Sequence, residues 1–305
     1  MNISEEGTDG LHSPCWNIVF SAFYILIFII AVPGNTLALW AFCHQKSSSS
    51  SKVFLRNLSI ADISYVLILP MRIVYHLSDS HWAFGHILCQ LSGFLFYLNM
   101  YCSLYLMSFI SLDRFLAVVF PLRSQSVRKP LYANVAVVIL WLAVIISMLP
   151  TLFSKKDDGS SSGICKKLYL ENTSPTALIS TIVAFSTPLT TIISCYILIL
   201  LKLRKLRQQE HCSRKDKAIK VVIFIMMTFL FVFMPYHVSR IVYIQSHTHG
   251  HVSAASRGYL GIANKVTSAL TCVNGILDPV LYFYLNRAYR EKCLHLFCKN
   301  RQRDQ

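Results

Sequence analysis

ILCQLSGFLFYLNMYCSLYLMSFISLDRFLAVV, Ile87 to Val119, carries no charged residue until Asp113 and Arg114. A bilayer hydrocarbon core about 30 Å thick takes roughly 20 helical residues to cross, so this run is long enough to span a membrane and project beyond it. A lone strand could not do so, because lipid offers its backbone groups no partner, and the run is too long for one strand of a barrel. Six further runs lie near Trp16 to Phe42, Val53 to Leu77, Leu131 to Phe153, Ser174 to Leu201, Ala218 to Ile244 and Tyr259 to Leu285. The whole chain agrees with them. Of 305 residues, 54% are hydrophobic and only 14% charged, and the mean hydropathy is +0.49, far from the average soluble domain. Beyond the last run, Arg287, Arg290 and Lys292 alternate with Leu294, Leu296 and Phe297, a pattern suited to lying along the interface. The expected fold is therefore an all-α membrane protein. Its seven-transmembrane helix bundle spans 16–285, after an extracellular N-terminus at 1–15. A short amphipathic eighth helix and a cytoplasmic tail fill 286–305.

A net charge of +15 could suggest a nucleic-acid partner, but its distribution argues against one. With an extracellular start, the inner breaks and tail hold 21 of the 29 Lys and Arg residues, which satisfies the positive-inside rule and places the N-terminus outside. The sequons at Asn2 and Asn172 fall on that outer side as glycosylation sites, whereas the one at Asn57 lies inside a helix. The first 15 residues lack the basic-then-apolar pattern of a cleavable signal, so the first helix is expected to act as the anchor. KSSSSSK at 46–52 and DDGSSSG at 157–163 read as flexible loops. The expected location is the plasma membrane, as one domain without internal repeat.

Ionisable residues inside a membrane are costly, and so they mark function. His237 and Arg240 stand at i and i+3 in FVFMPYHVSRIVY, Phe231 to Tyr243, and an arginine facing lipid there would cost several kcal/mol, so both should face the bundle interior. Arg72 and His76 repeat the pattern on the second helix, and Lys265 begins the seventh. Tyr75, Phe96, Tyr97, Tyr101, Tyr236 and Tyr243 interleave with them. A cationic, aromatic pocket with no acid in the outer halves of its helices, the membrane carboxylates lying at mid-depth or at the inner end, points to a small anionic ligand bearing phosphate or carboxylate. The alternatives are that Lys265 and Arg240 reach to the interface or pair with Asp79 or Glu171 in the loops.

Gly34-Asn35, Leu58 through Asp62, Cys89, Asp113-Arg114-Phe115, Trp141, Pro188, Tyr196, Phe229 through Pro235 and Asp278-Pro279-Val280-Leu281-Tyr282 together resemble class A (rhodopsin-like) G-protein-coupled receptors. PMRIVYH, GFLFYLNMY, KPLYANVAVVILW and PYHVSRIVY look like its purinergic cluster, which includes nucleotide, cysteinyl leukotriene and lysophospholipid receptors. The resemblance implies a heterotrimeric G protein as partner, besides membrane lipids. It implies a Cys89–Cys165 disulfide, and it matches His237 and Arg240 to ligand anchors. It implies that Asp62, Asn99, Ser103, Asn274 and Asp278 converge around a sodium ion that favours the inactive state. No other cofactor is expected, and a polar knot that merely sets helix register remains the alternative for this cluster. Arg114 is expected to pair with Asp113 at rest and to meet the G protein when active. Phe229, Phe233 and Pro235 match the switch of the sixth helix, while Asp278, Pro279 and Tyr282 match that of the seventh. Pro235 itself removes a helix hydrogen bond and permits a kink.

Three residues depart from the family pattern, Phe115 for tyrosine, Phe233 for tryptophan and Asp278 for asparagine. Cys15 has no counterpart in the third outer loop, which carries His247, His249 and His251 instead. Cys293 and Cys298 are candidate palmitoylation sites. Two other classes and one variant compete with a ligand-activated receptor. A transporter or channel would show repeated halves or a polar path across the full depth. An intramembrane enzyme would need a nucleophile and base, or a metal cluster, within reach of one another. The variant is a receptor that signals without ligand.

Overall fold

The structure is a computed structural model that describes residues 14–45, 49–153, 165–169, 173–206, 213–248, 253–286 and 289–294. Asn2, Asn172, Cys298, His249, His251 and the DDGSSSG segment lie outside these residues. Every element within them is helical. Seven helices are long and apolar enough to cross a membrane, Cys15–Cys43, Ser50–Leu77, Gly85–Val119, Pro130–Pro150, Pro175–Lys202, Ile219–Thr248 and Gly258–Leu285, numbered below as the first to seventh spans. A short eighth helix covers 289–294.

The packing follows from lipid as solvent. Ile29, Leu131, Ile139, Ile146, Ile179 and Val183 are turned outward, while Asn35, Asp62, Arg72, His237, Arg240 and Asp278 are fully or almost fully buried. A polar side chain in hydrocarbon must find its partner on another helix, and the third span sits where most partners meet. Cys102, Leu104, Leu106, Met107 and Ile110 of that span are completely buried, and it packs against the second, fourth, fifth and sixth spans.

Three spans are interrupted. The second breaks between Ser50–Val66 and Leu69–Leu77, where Pro70 occupies the first turn of the outer piece. The sixth carries a π-turn at Phe229–Phe233 immediately before Met234 and Pro235. Pro235 lacks the N–H that a regular helix needs there, and the π-turn widens the backbone just ahead of that gap. The seventh breaks at Cys272 and Val273, between Ala254–Thr271 and Asn274–Leu285. Because that helix starts at Ala254, Lys265 lies three turns inside it rather than at its start.

The part of KSSSSSK within the described residues, 49–52, differs from its reading as a loop, while 46–48 lie outside them. Ser49 caps the second span by accepting from the Lys52 amide at 3.3 Å, and Ser50 to Lys52 form its first turn. Serine is a good helix cap as well as a common linker residue, and a serine run alone does not distinguish the two.

The first and seventh spans touch through small residues. Asn35 Nδ2 donates to the carbonyls of Gly275 at 2.9 Å and Ala31 at 3.0 Å. A Cβ on Gly34 would lie 2.7 Å from the rigid ring of Pro279. At the inner end, Asn286 donates to Gln45 at 3.1 Å, and its side-chain oxygen caps the eighth helix at the Tyr289 amide. Lys292 lies over the ring of Trp40 at 3.3 Å. Gly34→Ala is expected to destabilise the purified protein by about 1–3 kcal/mol through overpacking, read as a lower thermal-unfolding midpoint. Gly261→Ala, in an open helical position, should be neutral or stabilising by up to about 1 kcal/mol. Equal effects of the two would contradict the Gly34–Pro279 contact.

Candidate ligand-binding site

The outer piece of the sixth span, Met234–Thr248, carries His237 and Arg240 one turn apart, 0% and 1% exposed. Neither faces lipid. His237 Nδ1 donates to the Phe233 carbonyl at 2.8 Å, which leaves Nε2 buried and without a hydrogen-bond partner among the described residues. The imidazole stacks on Phe185 of the fifth span at 4.3 Å and meets the Tyr101 ring at 6.2 Å. Tyr236 donates to the Tyr97 hydroxyl at 3.2 Å. The Arg240 guanidinium lies 5.6 Å from the Tyr243 ring and in the neighbourhood of Tyr97, Tyr101 and Tyr236. Five expected site residues, Tyr97, Tyr101, Tyr236, His237 and Arg240, thus form one cluster between the third, fifth and sixth spans.

Arg72 and Tyr75 belong to a neighbouring arrangement. Arg72 is fully buried, and its Nη2 donates to the Leu168 carbonyl at 2.9 Å. The guanidinium also lies over the ring of Phe96 at 4.4 Å and near those of Tyr24, Tyr65 and Tyr169. Among the described residues no carboxylate forms an ion pair with it. Leu168 and Tyr169 come from a short turn, Lys166–Tyr169, pinned by the Cys89–Cys165 disulfide. Tyr75 packs with Trp82, the two cysteines and that turn.

Tyr169 links Asn264, Lys265 and His76. Its carbonyl accepts from Asn264 at 3.1 Å, and its ring lies 5.8 Å from Lys265 Nζ. The hydroxyl pairs with His76 Nε2 at 2.6 Å. His76 Nδ1 faces the Asn17 side-chain oxygen at 3.2 Å, which can only accept, so Nδ1 holds the ring proton and Nε2 accepts from Tyr169. Burial, with the Tyr24 hydroxyl nearby, holds the Tyr169 phenol well above its ordinary range, so the phenol remains a donor. The reading from residue types missed Leu168 and Tyr169 of the loop turn and Asn264 of the seventh span, because an apolar or neutral residue carries no mark of its role. Cys165, just ahead of Leu168 and Tyr169, was the only signal for the turn.

At mid-depth Asp62 accepts from Asn99 at 3.0 Å and from Tyr282 at 3.2 Å, and Asn274 donates to Asp278 at 2.8 Å. Ser103 Oγ, Asn274 Oδ1 and Asp278 Oδ1 are buried with no hydrogen-bond partner among the described residues. Phe229 and Phe233 pack with ring centres 6.0 Å apart at the π-turn.

The inner end holds a denser cluster than expected. Arg114 pairs with Asp113. Arg128 of the inner loop reaches the same carboxylate through Nε at 2.9 Å and Nη2 at 3.2 Å, and Ser50 and Ser51 donate to it at 2.5 and 2.7 Å. The sequence reading found only the Asp113–Arg114 pair, since Arg128 looked like one loop charge among many and the serines like a linker. Cys293 packs into the core, and burial raises its thiol.

Comparison with known proteins extends this geometry. The family described as 7 transmembrane receptor (rhodopsin family) matches residues 34–282. The uracil nucleotide/cysteinyl leukotriene receptor of Homo sapiens is 44% identical over 295 residues, covering 96% of this chain and 80% of that protein. The same-named receptor of Mus musculus is also 44% identical, covering 96% and 86%. The cysteinyl leukotriene receptor 1 of Sus scrofa is 31% identical, covering 90% and 83%.

Arg72 holds the loop turn through the Leu168 carbonyl. Arg72→Ala should therefore speed hydrogen exchange across residues 165–169 and destabilise the protein by at least about 2 kcal/mol, the scale of a buried charged hydrogen bond. Unchanged exchange there would contradict that hold on the loop.

Proposed function

The chain belongs to the rhodopsin family of seven-transmembrane receptors, as a G-protein-coupled receptor of the plasma membrane and not an enzyme, and from that premise we propose that its ligand is a small extracellular anion. A nucleotide, a cysteinyl leukotriene and a lysophospholipid are the chemical classes in view, each joining negative groups to stackable or apolar surface. The N-terminus lies outside in this reading, and the inner ends of the third and sixth spans dock a heterotrimeric G protein.

One observation carries the ligand reading. The unpartnered Nε2 of His237 and the buried guanidinium of Arg240 share a cage of Tyr97, Tyr101, Tyr236 and Phe185. With Nδ1–H already given to the Phe233 carbonyl, Nε2 donates to phosphate or carboxylate once the imidazole takes up a second proton, and Arg240 adds a charge-assisted hydrogen bond, with the rings taking a base or a hydrocarbon. Lys265, beside the Tyr169 ring, is the further candidate cation from the seventh span. Relatives named for uracil nucleotides and cysteinyl leukotrienes support the same chemistry.

Activation follows as a population shift. An anion seated on Arg240 and His237 pulls on the sixth span just outside its π-turn, where Phe229, Phe233 and Pro235 lie. Movement of the inner piece then uncovers Arg114, freed from Asp113. Asp278, Pro279 and Tyr282 couple the seventh span to the same change, since Tyr282 donates to Asp62.

Asp62, Asn99, Ser103, Asn274 and Asp278 would hold a sodium ion. Unsatisfied oxygens on Ser103, Asn274 and Asp278 fit a hard cation, and two neighbouring carboxylates need a cation or a proton between them. Bound there, sodium supplies the positive charge that steadies the resting arrangement. Replacing potassium by sodium chloride at constant ionic strength should raise the thermal midpoint of the wild type and leave that of Asp62→Asn unchanged. No sodium-specific rise in the wild type would favour the polar knot.

The ligand assignment is tested by G-protein activation in cells expressing wild type or Arg240→Ala, matched for surface level, against nucleotides, leukotrienes and lysophospholipids. An agonist response that falls at least 100-fold in potency in the variant, roughly the value of a buried charged contact, is the expected result. High ligand-free signalling that neither the panel nor the substitution alters would identify a ligand-independent receptor.

A further inference from the structure

At the inner end, the second, third and fourth spans leave a cavity of about 190 Å³ between them. Its floor includes Phe54 and Phe109 and one wall is Ala133 and Ala136. The rim residues Leu112 and Tyr132 are exposed at 39% and 55%, so the groove opens sideways, toward the lipid. Leu116 and Val127 add to the apolar lining, and Ser50, Asp113 and Arg128, part of the cluster that holds Arg114, supply a polar edge.

An apolar cavity of about 150 Å³ takes one benzene-sized group, so this one accommodates a short length of hydrocarbon chain. In a bilayer, acyl chains reach such a rim. Charge at the headgroup level agrees with lipid as occupant. Arg123 and Lys129 are exposed on the adjoining loop and Arg128 is half-buried, while the nearby carboxylate of Asp113 is already surrounded by donors. Basic side chains beside an apolar slot suit an anionic phospholipid.

We propose that this groove is a regulatory lipid site. An anionic phospholipid of the inner leaflet lays one acyl chain between Leu112, Tyr132 and Ala136 and sets its headgroup against Arg128 and Lys129. Arg128 then has two anionic partners. Its guanidinium now grips both oxygens of Asp113, and a headgroup that shares this fork loosens Asp113, which eases release of Arg114. Anionic lipid therefore shifts the receptor toward its G-protein-binding state without entering the outer pocket. The inference rests on the cytoplasmic assignment of this end and not on the identity of the extracellular ligand.

The test uses the full-length receptor in nanodiscs of phosphatidylcholine, with and without phosphatidylserine, either lipid carrying a diazirine on one acyl chain. Labelled peptides and ligand-free nucleotide exchange on a G protein are read together. Labelling by phosphatidylserine should concentrate on the segments around Leu112 and Tyr132, several-fold above phosphatidylcholine, and exchange should rise with it. Ala136→Phe fills the groove. Leu112→Trp narrows its mouth from a lipid-facing position where folding is little affected. Both should abolish the concentrated labelling and flatten the response to phosphatidylserine. Labelling spread evenly over the lipid-facing surface, equal labelling by the two lipids, or a response that survives in both variants would overturn the proposal.

Discussion

Asp113 is a carboxylate at the inner end of a membrane helix that answers to four donors, one beside it and three from two other places in the chain. Arg114 is its neighbour on the third span, Arg128 comes from the inner loop, and Ser50 and Ser51 open the second span. Ionisable groups at this depth are tolerated only when paired, so the inner ends of the second and third spans and the loop are drawn to one point. That requirement, repeated at mid-depth around Asp62 and in the outer half around Arg72 and Arg240, decides which helix faces meet.

The third span serves all three depths. Tyr97 and Tyr101 line the outer cage, Asn99 and Ser103 the mid-membrane cluster, and Asp113 and Arg114 the inner one. From Tyr97 to Asp113 is about 24 Å along a helix rising 1.5 Å per residue. A rigid, buried rod of that length can hold its side of each cluster fixed while the sixth and seventh spans, each interrupted in mid-course, take up the change. The π-turn at Phe229–Phe233 lies between the cage and the inner end, where a shift of the outer piece has to be passed on.

Much of this was legible in the residues. Seven apolar runs and the charges inside them gave the bundle, because lipid forces both the helix length and the inward direction of polar groups. The cage was legible for the same reason, since His237 and Arg240 have no tolerable place outside it. What was not legible depends on backbone detail or on loops. Arg72 looked like Arg240 until the Leu168 carbonyl was placed beside it. A neutral turn such as Lys166–Tyr169 leaves no periodic trace, and the serines at 49–51 read equally as linker or cap. The place of Lys265 within its helix was misjudged because the outer end of the seventh helix is polar, and hydropathy marks where a helix enters lipid rather than where it begins.

The central claim is that the resting state is held at the inner end by the carboxylate of Asp113. It is tested most directly by ligand-free nucleotide exchange in membranes carrying wild type or Asp113→Asn at equal surface level. The account predicts faster exchange in the variant, with the protein still folded by its thermal midpoint. Exchange equal to or below wild type in a folded variant would show that the Asp113 cluster is structural and that the restraint on Arg114 lies elsewhere.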